Sequence, residues 1–112
     1  MVKSLNLMYQ GNYQKAEKLT RKALSIQRQS LGELHPATLL NLVSLSGILS
    51  RQEKYDEAAT VARDSFEGQR IVFGESHPNT LIAKCNLAEC YGNQDKFSEA
   101  EDLYKQCLDH RN

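Results

Sequence analysis

The stretch Gly32-Glu33-Leu34-His35-Pro36-Ala37-Thr38-Leu39 returns as Gly74-Glu75-Ser76-His77-Pro78-Asn79-Thr80-Leu81, a step of 42 residues from His35 to His77. A second signature keeps the same step: Tyr13-x-x-Ala16, Tyr55-x-x-Ala58 and Phe97-x-x-Ala100. A fixed period of this size means one supersecondary unit stacked several times. Each unit then buries its apolar face against its neighbours, and the stack presents an extended surface instead of a closed catalytic pocket. This periodicity points to an interaction scaffold before any single residue is considered.

Inside the period, apolar residues follow helical spacing. Tyr13, Ala16, Leu19, Ala23, Leu24 and Ile26 lie roughly along one face of a helix expected from Asn12 to Ser30. A second helix is predicted from Pro36 to Ser50 on Leu39, Leu42, Leu45, Ile48 and Leu49. A third should run from Tyr55 to Val72, and a fourth should start at Pro78 with Leu81, Leu87, Ala88 and Tyr91. A fifth starts near Phe97 with Ala100, Leu103, Tyr104, Cys107 and Leu108. Gly32 and Gly74 suit left-handed C-terminal caps. Pro36 and Pro78 suit a first helical turn, where the missing N–H has no partner to lose. No stretch alternates with period two for long enough to read as a strand. The joints Gln52-Glu53-Lys54 and Asn93-Gln94-Asp95-Lys96 are short, so consecutive helices must pack antiparallel. Ala16, Ala58 and Ala100 mark close helix approach, and Tyr13, Tyr55 and Phe97 are positioned to plug the junction between paired helices.

Composition narrows the functional classes. Fourteen Lys and Arg balance fourteen Asp and Glu, so no global field favours nucleic acid or an anionic membrane. No apolar run approaches the ~20 residues of a membrane span, and the first residues lack the sustained apolar core of a signal peptide. Cys85, Cys90 and Cys107 have no framework spacing and fit free thiols in a reducing, cytoplasmic setting.

The chemistry expected of an enzyme is missing from the motifs. There is no phosphate-binding Gly-x-x-x-x-Gly-Lys-Ser/Thr, no Gly-x-Gly-x-x-Gly and no His-Glu-x-x-His. Cys85 and Cys90 lack a second pair for zinc and read as small hydrophobes at helix contacts. His35 and His77 are duplicated by the repeat, which favours a turn role over catalysis, and His110 reads as solvated. Glu33, Glu75, Glu57 and Glu99 lie near helix beginnings, where the dipole favours carboxylates. No catalytic residue, cofactor or metal ligand is expected.

These motifs resemble the tetratricopeptide repeat, in the long variety found in kinesin light chains. The markers are Gly-Glu-x-His-Pro-x-Thr-Leu before the first helix (A) of a repeat, Asn86-Leu87-Ala88-x-x-Tyr91 within it, and Lys96-Phe97-Ser98-Glu99-Ala100 opening the second (B). The sequence departs from the pattern at Leu42-Val43-Ser44-Leu45-Ser46, at Cys85, and at Lys3 in a partial helix A before Tyr13. The resemblance implies an all-α right-handed solenoid of antiparallel helix pairs, about two and a half repeats in one domain: residues 1–31 partial, 32–73 and 74–112. It also implies binding of a peptide or helical segment of a protein partner in a concave groove, as adaptor or scaffold. Aligned on the helix-B alanine, the groove positions are Leu40, Val43, Gly47, Ser50 and Arg51, then Ile82, Cys85, Glu89, Gly92 and Asn93, with Asn86 as a groove or packing residue. The alternative is a structural or sensor segment of a larger signalling NTPase. Apolar residues retained near both ends add an expectation of self-association.

Overall fold

In the computed structural model the backbone is described for residues 2–111 and the side chains for residues 12–108. Five helices follow one another: α1 (Val2–Ser30), α2 (Pro36–Arg51), α3 (Tyr55–Phe73), α4 (Pro78–Asn93) and α5 (Phe97–Arg111). No strand occurs among the described residues. Each helix packs on the next, and α2 also touches α4. This is a tetratricopeptide-like all-α solenoid, in which α2 and α4 are the A helices and α1, α3 and α5 the B helices.

The repeated His-Pro dipeptides start the A helices. The His35 Nδ1 accepts the Ala37 backbone N–H at 3.1 Å, and the His77 Nδ1 accepts that of Asn79 at 3.0 Å. Each imidazole thus satisfies one of the orphan donors of a helix N-terminus, and each proline takes the first helical position. Upstream, Gly32 and Gly74 end the B helices at φ +94° and +92°. At Gly74 ψ is 169°, so the cap differs from the expected left-handed one. This extended positive-φ region is essentially closed to residues with a Cβ, which is why glycine recurs there.

Two further sequence expectations need correction. The helix expected to begin at Asn12 continues back to Val2, with no turn before Tyr13. Continuing a helix adds a backbone hydrogen bond per residue, whereas a turn needs packing to offset the bonds it breaks. Phe97 does not plug a junction: it is 65% exposed. The side chains of Lys3 and His110 lie outside the described residues.

The core is a row of leucines from α2 against small residues of α3. Leu39, Leu42, Leu45 and Leu49 are buried, as are Ala58, Ala59 and Ala62, and Leu24, Leu87 and Cys90 complete the cluster. Small side chains let the backbones of α2 and α3 approach closely, most of all at Gly68, where an added Cβ would collide with the Leu39 Cδ2. Buried polar groups are paired in sequence across three helices. The Ser65 hydroxyl donates to the Leu39 carbonyl at 3.2 Å, Gln69 Nε2 to the Ser65 Oγ at 3.1 Å, and the Thr80 hydroxyl to the Gln69 carbonyl at 3.2 Å. The result is a slab of 42 × 37 × 21 Å with a radius of gyration of 14.7 Å. A closed domain of this length would have about 13 Å. The extra length goes into surface between successive helix pairs.

Candidate protein-binding groove between α2 and α4

The groove begins with periodicity on two helices. Residues three and four apart share a helix face, so the A helices that bury Leu39, Leu42 and Leu49 turn Leu40, Val43 and Gly47 another way. Leu40 is 66% exposed and its repeat equivalent Ile82 is 60% exposed. Because α2 and α4 touch, these exposed faces lie side by side.

Two depressions run along the seam. One, of about 270 Å³, is lined by Leu40, Val43 and Ile82 together with Pro36, Ala37, Gln69 and Asn79. The other, of about 370 Å³, is lined by Gly47, Ser50, Arg51, Asn86, Glu89, Asn93 and Tyr55. The first is predominantly apolar and the second polar, with one cation and one carboxylate. Nine of the eleven residues expected at the groove therefore come together in these two depressions. The other two, Cys85 and Gly92, are half-buried on α4 and are not among the lining residues.

Asn86 does more than line the groove. Its amide donates to the Ser46 hydroxyl, which itself donates to the Val43 carbonyl at 2.8 Å. This pins α4 to α2 from beneath the groove floor. Lower in the seam, the Ser50 hydroxyl and the buried Cys90 thiol are 3.9 Å apart. Burial pushes the Cys90 thiol up, which disfavours the thiolate that nucleophilic or metal chemistry would need. Among the described residues no cluster of His, Cys, Asp or Glu is arranged to hold a metal ion. Sequence reasoning missed Pro36, Ala37, Tyr55, Gln69 and Asn79 as lining residues. Tyr55 is expected at the helix junction from the 42-residue step, and the same step is its signal here.

The tetratricopeptide repeat family model matches residues 4–71 and 48–112, and the chain belongs to that family. Its fold is similar to that of the nearly identical TPR-like repeats of a candidate kinesin light chain from Podosopora anserina. The two share 24% identity at a TM-score of 0.85, over 96% of this chain and 52% of that one. A point variant of the same protein gives 24% identity and a TM-score of 0.81, over 93% and 49% of the two chains. The chain thus spans about half the length of these structures. No curated protein matches it. Tetratricopeptide repeats are in general protein–protein interaction modules and their fold is a non-catalytic one. No helix among the described residues is long and apolar enough to cross a membrane.

Proposed function

We propose that this domain holds an extended or helical segment of a partner protein in the α2–α4 groove, in an adaptor or scaffold role. The observation that carries this reading is the pair Leu40 and Ile82, two large aliphatic side chains left exposed at equivalent positions across one seam. An apolar patch rimmed by polar residues is the usual mark of a protein-binding surface. The polar half, with Arg51 and Glu89, supplies orientation and discrimination, since charge placement governs specificity more than affinity. A segment with apolar anchors at one end and mixed charge at the other fits this arrangement.

The test is proximity labelling or affinity capture with the natural protein, comparing wild type with Leu40→Glu, Ile82→Glu and the charge reversals Arg51→Glu and Glu89→Lys. All four side chains are on or near the surface, so circular dichroism should show an unchanged helical fold. The expected result is a partner captured by the wild type and lost from the Leu40 and Ile82 variants. A partner set unchanged in all four variants would overturn the groove assignment.

A further inference from the structure

The opposite side of α4 carries a second depression that the groove does not use. Leu87 and Tyr91 project there, about half a helical turn from Ile82 and Glu89. With α3 and α5 they enclose about 320 Å³. Phe66, Leu87 and Leu103 form an apolar floor, Arg63 and Tyr91 one wall, and Glu67, Glu99 and Asp102 an acidic rim.

The equivalent place one repeat earlier, between α1 and α3, is spanned by an ion pair. There the Arg21 guanidinium bridges to Glu57 at 2.9 Å and to Glu17 at 2.8 Å, over the buried Leu24. Counting 42 residues on, Arg63 replaces Arg21, Glu99 replaces Glu57 and Phe66 replaces Leu24. The later bridge is not made: Ala59 stands where the earlier repeat has Glu17, and Tyr91 where it has Leu49. Arg63 donates to the Tyr91 hydroxyl at 2.5 Å, with its guanidinium carbon 5.8 Å from the ring centroid. Lys96 approaches the same ring, with its ammonium 5.6 Å from the centroid. Glu67 is held by Arg70. Glu99 makes no ion pair among the described residues, and neither does Asp102, which stands where the earlier repeat has Thr60.

We propose that the α3–α5 gap is a second docking site, which takes an arginine side chain presented by a partner polypeptide. Its aliphatic stem lies on Phe66, Leu87 and Leu103, and its head group reaches Glu99 and Asp102. The earlier gap shows the chemistry that fits, a guanidinium held between two carboxylates over an apolar floor. Charge complementarity selects a cation, because among the described residues neither Glu99 nor Asp102 is ion-paired, and the one cation of the lining, Arg63, donates to the Tyr91 hydroxyl instead. The planar head group of arginine, matched to carboxylates and able to stack on aromatic faces, favours it over lysine. This site is independent of the α2–α4 groove and stands or falls separately.

The experiment is a titration of isotope-labelled protein with the capped pentapeptide Ala-Leu-Arg-Leu-Ala, followed by amide chemical shifts. Expected are saturable shifts at Phe66, Leu87 and Leu103, and about tenfold weaker binding when citrulline, uncharged and of the same shape, replaces arginine. The double variant Glu99→Gln/Asp102→Asn should weaken binding by a similar factor. Tyr91→Leu keeps both carboxylates but frees Arg63 to bridge Glu99, and should weaken binding too. Should Tyr91→Leu fail to fold, the exposed Glu99/Asp102 pair decides alone. Equal affinity for the citrulline peptide, shifts confined to Leu40 and Ile82, or unchanged affinity in the carboxylate variant would each overturn the proposal. So would shifts at the gap that follow protein concentration without peptide, which would assign it to a second copy of the chain.

Discussion

At the scale of residues, each duplicated side chain has a mechanical task that explains its recurrence. The two histidines act as acceptors at helix starts, so His77→Ala should destabilise the fold by about 0.5–2 kcal/mol, while His77→Asn, a good cap, should recover most of the loss. Urea denaturation of the two variants checks this. Glu33 and Glu75 recur because each pairs across a helix end with Arg28 or Arg70, at 3.1 and 3.5 Å. Lys84 has no such symmetry. It is almost wholly buried, 5.6 Å over the Phe66 ring and 3.9 Å from the Glu75 carboxylate. A buried charge with one distant partner recovers little of its desolvation cost. Lys84→Met should therefore leave the denaturation midpoint unchanged or raise it. A clear loss of stability would show that the Glu75 pairing outweighs desolvation.

At the scale of elements, what matters is how one helix is tied to the next. Glu17 on α1 accepts from Arg21, from Gln52 at 2.8 Å and from Lys54 at 3.2 Å, which fastens α1 to the joint between α2 and α3. The Arg21 hydrogen bond, opposed by burial and supported by Gln52 and Lys54, lowers its carboxyl pKa from 4.5 to about 2. A lowered folded-state value stabilises the fold above the ordinary pKa, and that stabilisation fades as pH falls from 4.5 towards 2. Glu17→Gln should thus be less stable than wild type at neutral pH, and the two stability curves should converge near pH 2. Curves that stay parallel would show that Glu17 is not a net stabiliser through its charge. The contact of α2 with α3 depends instead on an absent side chain. Gly68→Val would force Leu39 out of a filled core and should cost about 1–3 kcal/mol, read as a lowered thermal midpoint.

At the scale of the whole molecule, the stack leaves apolar side chains uncovered on its terminal helices. Leu19 and Ile26 on α1 are 70% and 56% exposed, and Tyr104 and Leu108 on α5 are 44% and 57% exposed. Exposed apolar faces of this kind drive association. Light scattering of this 112-residue chain should show a mass that rises with concentration, and Leu19→Glu/Ile26→Glu should suppress the rise. A constant monomer mass would remove that expectation.

The period, the helical spacing and the glycine and proline punctuation were enough to determine an all-α repeat with the joints between its five helices in place. These are local signals, carried by residues a few positions apart or by identity at a fixed step. The groove was legible for the same reason, because a repeat places equivalent residues on equivalent faces. Only the tertiary structure decided how residues on different helices meet. It showed α1 running through the position where a turn was expected, Asn86 pinning α4 to Ser46, and Phe97 exposed. It also showed that Arg21 and Arg63, alike in sequence, end in different bonds. Two exchanges between equivalent positions separate them: Glu17, the ion-pair partner of Arg21, becomes Ala59, and Leu49 becomes Tyr91, which receives the hydrogen bond of Arg63. The loss of the carboxylate is visible four residues before Arg63, but the new partner is a side chain on another helix, which no local pattern around Arg63 records.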